Sequence, residues 1–139
     1  MSAFVWALLT ACIWGVVPLM EKVGLGTASP TIGVLVRSLG VVAGLVIGWG
    51  IWSPWAAIRA LSWPSILLLA GGGLLASFGG QLAFYRALKT GALSQVTPVA
   101  GIYPLIAALL GWWVLREPMT VPRVLGVILV VLGVSLLRR

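Results

Sequence analysis

Charge divides this chain into long apolar lengths. Nine Lys/Arg and two Glu are spread through 139 residues, leaving the charge-free stretches Ser2 to Met20, Ser38 to Ile58, Ala60 to Tyr85, Thr90 to Leu115 and Val124 to Leu137. A bilayer core of about 30 Å is crossed by roughly 20 mostly apolar helical residues. Four stretches meet or nearly meet that length. The fifth reaches it only when Thr120 to Arg123 is included and Arg123 extends its guanidinium towards the headgroups. With 61% hydrophobic and only 8% charged residues, against about 25% charged in soluble domains, the pattern predicts an all-α fold, an integral membrane bundle of five transmembrane helices. Five is odd, so the two termini are expected on opposite faces.

Breakers place the helices at about residues 3–23, 31–52, 63–88, 93–115 and 121–137, forming a single transmembrane domain over 1–139. Gly24 to Pro30 is a turn rich in helix breakers. Ser53-Pro54, Lys89-Thr90-Gly91 and Glu117-Pro118 open the other connections. Pro98 and Pro104 each remove a backbone donor from the fourth helix and predict a kink there. Small residues at four-residue spacing give packing faces: Gly40, Gly44 and Gly48 on the second helix, and Gly72, Ala76 and Gly80 on the third. Gly126 and Gly133 share a face of the fifth. In lipid such faces let helix backbones approach closely, within one bundle or across a dimer seam.

The net charge of +7 does not indicate nucleic acid. The cations stand singly at helix ends, as in membrane proteins, and do not form a groove or stripe. Calling the membrane face of the N-terminus side A, Arg59, Arg116 and Arg123 lie on it. Lys22, Arg86, Lys89, Arg138 and Arg139 lie on the opposite side B, with Arg37 reaching towards it. This weak bias favours side B as cytoplasmic. Trp6, Trp49, Trp52, Trp55, Trp63, Trp112 and Trp113 all fall near side A as an interfacial belt, and Trp14 is deep. The single Cys12 lies inside the first helix. The chain has no His and no Asp, so neither a metal site nor a nucleophile–base pair can be assembled and no cofactor is expected. An enzyme is not expected.

Arg37 is the most informative residue, about seven residues or ~10 Å inside the second helix. A cation at that depth snorkels, pairs, or lines a wet cavity. Glu21, Gln81, Tyr85 and Gln95 share its layer, and Gln81 and Tyr85 are four apart on one helical face. Trp14 and Tyr103 lie near mid-membrane, either as ordinary packing or as aromatic walls of a cavity. The candidate substrate-binding residues are therefore Trp14, Arg37, Gln81, Tyr85, Gln95 and Tyr103. Glu21 is a candidate for proton coupling, weighed against an interface charge paired with Arg37. Glu117 is expected to cap the start of the fifth helix.

Trp14-Gly15, Lys22, Gly24, Pro30 and Arg37, followed by Tyr85 to Leu88, Pro104, Leu115-Arg-Glu117, Gly126 and Gly133, resemble the EamA domain of the drug/metabolite transporter superfamily. The second-half pattern of that family is Pro, Glu, Gly and Gly at fixed intervals, and Pro104, Glu117, Gly126 and Gly133 match all four. The resemblance covers essentially the whole chain. It implies a five-helix unit that usually occurs twice per chain, in inverted orientation, around a central cavity that exports or exchanges small metabolites. On that basis this chain is expected to act as a homodimer or with a paralogous partner. It would be a secondary transporter of a small-molecule substrate in the inner (cytoplasmic) membrane, alternating access by rocking. Alternatives are a flippase component for lipids or lipid-linked sugars, or a non-transporting membrane subunit. The four-helix relatives carry a buried carboxylate in their first helix, and Glu21 lies too near its helix end to match it well.

Overall fold

The computed structural model describes residues 2–52 and 55–136, and these are helical apart from short connections. The expected turn at Ser53-Pro54, together with Leu137, Arg138 and Arg139, lies outside the described residues. Four helical lengths are long and apolar enough to cross a membrane: Ala3–Leu25, Pro30–Trp49, Trp63–Thr90 and Leu93–Leu115. The remaining apolar helix, Val121–Leu136, has 16 residues, about 24 Å at 1.5 Å per residue, and falls short of the other four. The chain divides into two units, Met1–Thr90 and Gly91–Arg139.

In the first unit, α1 spans Ala3–Leu25, opened by the Ser2 hydroxyl, which accepts from the Val5 amide at 3.4 Å. It ends at Gly26, whose φ of 41° is a conformation that side-chain-bearing residues rarely adopt. Helix α2 spans Pro30–Trp52; proline suits a first helical position because its missing N–H would be unpaired there anyway. A short α3, Trp55–Arg59, follows. Trp49 and Trp55 meet edge to face across the connection, with centroids 4.7 Å apart. Helix α4, Trp63–Leu74, is capped by Ser62 and has Pro64 in its first turn.

The third long helix is not uniform. Leu75–Gly80 is a π-helical turn, in which the Gln81 amide donates to the Ala76 carbonyl five residues back. Gly79 and Gly80 are the weakest α-helix formers apart from proline, each costing about 1 kcal/mol relative to alanine, so the α-helical alternative is poor there. The wider turn resets the helical register before α5, Gln81–Thr90. Helix α5 packs against both α1 and α2. Leu25, Val34, Tyr85 and Leu88 are buried where the C-terminal ends of α1 and α5 meet the N-terminal end of α2. Most other large apolar side chains are exposed, as expected where lipid tails are as apolar as leucine and give no reason to hide them.

In the second unit, α6 spans Leu93–Ala100 and α7 spans Tyr103–Leu115. The break falls at Gly101 and Ile102, between Pro98 and Pro104, the kink that two missing donors demand. At the break the Ile102 amide turns to the Val99 carbonyl, three residues back. Helix α7 ends at Arg116, which is left-handed at φ 55°, with the Glu117 amide donating to the Gly111 carbonyl at 3.1 Å. Helix α8, Val121–Leu136, packs against α7.

Candidate functional site

The first unit brings one residue from α1, one from α2 and two from α5 onto a single oxygen atom. Gln81 Nε2 donates to Glu21 Oε1 at 2.8 Å, and the Tyr85 hydroxyl donates to the same oxygen at 2.9 Å. Arg37 Nε lies 3.2 Å from it in an ion pair, with the Glu21 side chain 11% exposed and that of Arg37 34%. The four-residue step from Gln81 to Tyr85 is one helical turn and puts both donors on one face. Of the alternatives the sequence leaves open for Arg37, the structure shows the pairing, with Glu21. A carboxylate so placed gathers donors from two neighbouring helices and ties three spans at one depth. Removing one member leaves the others with an unpaired group in a medium without water.

Two further features hold the cluster in place. Gly33, one turn before Arg37, sits where a Cβ would lie 2.5 Å from Leu25 Cδ2 and 2.8 Å from the Tyr85 ring. Only glycine lets α2 approach α5 this closely, and that approach brings Tyr85 and Arg37 to the same carboxylate. Beyond the cluster, Lys22 Nζ donates to the Leu88 carbonyl at 2.7 Å and Lys89 Nζ to the Gly26 carbonyl at 2.7 Å. Each lysine stands in the last turn of its own helix and satisfies the unpaired carbonyl end of the other.

The other residues singled out from the sequence are placed as follows. Trp14 stands two turns before Glu21 on α1 and is exposed. Gln95 belongs to α6 and Tyr103 opens α7, both in the second unit and both exposed. The expected capping role of Glu117 is not what the structure shows. Its amide closes α7 on Gly111, and its carboxylate folds back over Gly111, with Oε2 3.4 Å from where a Cβ there would be. The left-handed turn at Arg116 reverses the chain and carries the side chain towards α7. Glu117 thereby lines a cavity of about 320 Å³ in the second unit, along with Pro104, Trp112, Arg123 and Gly126. Arg123 Nη1 donates to the Pro118 carbonyl at 2.9 Å across the connection before α8.

Sequence reasoning missed Gly33 and the crossed lysines. A signal for Gly33 was present: it precedes Arg37 by four residues, so it shares the face that carries the charge. For the lysines no signal existed beyond their position in last turns, since the carbonyls they reach lie more than sixty residues away in sequence.

Comparison with known proteins agrees over the full length. The EamA-like transporter family matches residues 1–139. An "Uncharacterized transporter in cobO 3'region" of Sinorhizobium sp is 32% identical over 135 residues, covering 95% of this chain and 93% of that protein. Protein LicB of Haemophilus influenzae is 27% identical over 139 residues, 99% of this chain but 44% of LicB, so the chain spans less than half of that relative. The uncharacterized protein MJ1333.1 of Methanocaldococcus jannaschii is 38% identical over 58 residues, 42% of each chain. No solved structure matches.

Proposed function

Because this chain belongs to the EamA-like transporter family and is a multi-pass membrane protein, we propose that it is a secondary transporter of a small metabolite or amphipathic compound. In this reading Val121–Leu136 is a fifth, short span. The carrying observation is the cluster of Glu21, Arg37, Gln81 and Tyr85 on one oxygen within otherwise apolar helical lengths. Charged groups at such depth are costly in lipid and mark substrate or ion pathways. Arg37 binds the polar or anionic group of the substrate. Gln81 and Tyr85 orient Glu21, and Trp14 supplies further lining. Glu21 is the candidate proton-coupling group, since its other oxygen, Oε2, is not used by these three donors.

The working unit is a dimer, of two copies or with a paralogous partner, alternating access by rocking of one five-helix unit against the other in the inner membrane. The exposed glycine faces of α2 and α8 support this, since a Cβ at Gly40, Gly44, Gly126 or Gly133 meets nothing within 4 Å, leaving room for another helix backbone. The purified chain in proteoliposomes, screened for substrate-driven uptake, tests the reading. Uptake is expected for wild type and is expected to be lost in the double variant Glu21→Gln/Arg37→Gln, which removes the charges together. Undiminished uptake by that variant would exclude the cluster from transport. Tags on both termini report orientation: a single fixed orientation excludes an inverted homodimer.

A further inference from the structure

Arg37 has two sides. Its Nε faces Glu21, while the residue also lines a cavity of about 410 Å³ between α2 and the α4–π region, wholly within the first unit. The remaining guanidinium donors have no protein acceptor among the described residues. Ser38 and Ser77 line the same cavity, and neither hydroxyl is hydrogen-bonded to a described residue. The rest of the wall is apolar, formed chiefly by Val41, Val42, Leu74 and Phe78. These four are half exposed or more, and all stand within lengths apolar enough to cross a membrane.

We propose that this groove binds a membrane-dissolved anionic amphiphile, with a single carboxylate or phosphate head on Arg37, Ser38 and Ser77 and its apolar body along Val41, Val42, Leu74 and Phe78. The inference rests on the transporter reading of Arg37 and gives that site a substrate class. The volume lies within the range of small-molecule sites, about 300–1,000 Å³. Hydrocarbon offers nothing to the unpaired guanidinium donors, and the tie of Nε to Glu21 keeps the side chain from simply extending to the interface. An oxyanion head supplies paired acceptors that match the flat fork of arginine. The two hydroxyls complete a polar end on an apolar trough, which discriminates by charge at one end only. The π turn carries Ser77 and Phe78 to the groove, and π turns interrupt α-helices frequently at functional sites. This wall differs from the aromatic one anticipated from Trp14 and Tyr103: its single aromatic side chain is Phe78.

The test uses the full chain in zwitterionic nanodiscs and stearic acid bearing a nitroxide near the end of its chain, with the correspondingly labelled methyl ester as the uncharged control. Electron paramagnetic resonance reads the motionally restricted fraction. The expected result is a preference of about tenfold for the acid over the ester, the scale of one charge-assisted contact. The preference falls to about onefold in Glu21→Gln/Arg37→Gln and by several-fold in Gly73→Leu. A Cβ at Gly73 meets nothing within 4 Å, so the leucine fills the groove and leaves the polar cluster in place. Equal restriction of acid and ester would overturn the proposal, as would an unaltered preference in Gly73→Leu. Displacement of the labelled acid by millimolar acetate or inorganic phosphate would overturn it in favour of a water-soluble anion. A groove that selects the acid in a protein that transports nothing in liposomes would uphold this inference and sink the transport reading alone.

Discussion

In the first unit, side chains from α1, α2 and α5 converge on Glu21 Oε1, and lysines cross between the ends of α1 and α5. In the second, α7 and α8 meet around proline, glycine and tryptophan, and the side-chain hydrogen bonds of Arg123 and Ser135 are local, to Pro118 and Leu132. Both units face the same difficulty: apolar burial gives helices little reason to choose one arrangement in lipid. The first meets it with directional polar links, which work at one depth and one rotation of each helix. The second shows how far backbone shape can go, with a proline-flanked break and a left-handed turn defining where its helices begin and end. Polar links cost more when broken, so the first unit should be the more sensitive to substitution.

The largest difference is expected for Glu21→Leu, which leaves Arg37 paired with nothing at 34% exposure. Loss of one partner of a fully buried pair costs about 3–5 kcal/mol and of an exposed one under about 1 kcal/mol, so this partly buried pair should lose about 2 kcal/mol, read as a lowered unfolding midpoint in detergent. The matching change in the second unit, Glu117→Leu, should cost less than about 1 kcal/mol, since no ion pair within 4 Å is formed by its exposed carboxylate among the described residues. Equal losses would break the comparison.

Gly33→Ala comes next. A methyl group 2.5 Å from Leu25 and 2.8 Å from Tyr85 forces α2 and α5 apart, at about 1–3 kcal/mol for overpacking, and should reduce uptake as well as stability because Tyr85 and Arg37 move with their helices. Gly126→Ala, where a Cβ meets nothing, should shift the midpoint by under about 0.5 kcal/mol in monomeric detergent preparations. If Gly126→Ala instead disrupts association measured by crosslinking or sedimentation, its face is a seam between copies.

Tyr85→Phe removes one of three donors to Glu21 and keeps the ring against Gly33. Polar contacts between membrane helices average about 0.6 kcal/mol, so the loss should be of that order, and smaller than that from Gly33→Ala. The last effect has the opposite sign. Arg116→Gly relieves a left-handed residue at the end of α7, roughly 1–2 kcal/mol for a side-chain-bearing residue, against about 0.4–1 kcal/mol for the freer unfolded chain that glycine allows; the net gain should be about a few tenths of a kcal/mol, detected as a raised midpoint or slower amide exchange at Gly111 to Glu117.

Much of the site was visible in the sequence because its members are anomalies there. Arg37, Glu21, Gln81 and Tyr85 interrupt apolar lengths, and a polar group in a membrane helix must find a partner. Their depths follow from residue counts along each helix. The bond pattern does not. That Arg37 would use Nε on Glu21, and also line a groove with Ser38 and Ser77, depends on how α2 is rotated against α5, where Gly33 permits the close approach. Glu117 shows the limit from the other side. Its place after Arg116 suggested a cap on the next helix, but the left-handed turn sends the carboxylate back over Gly111.

Composition and charge spacing alone determined that this chain is helical and lives in a bilayer, because unpaired backbone groups are not tolerated in hydrocarbon and about 20 apolar residues reach across it. The matching intervals from Pro104 to Gly133 pointed to the family. Tertiary structure decided which polar groups meet. Side-chain chemistry says that a buried carboxylate needs donors, but only the rotation and approach of three helices select which donors lie within 3.2 Å of one oxygen.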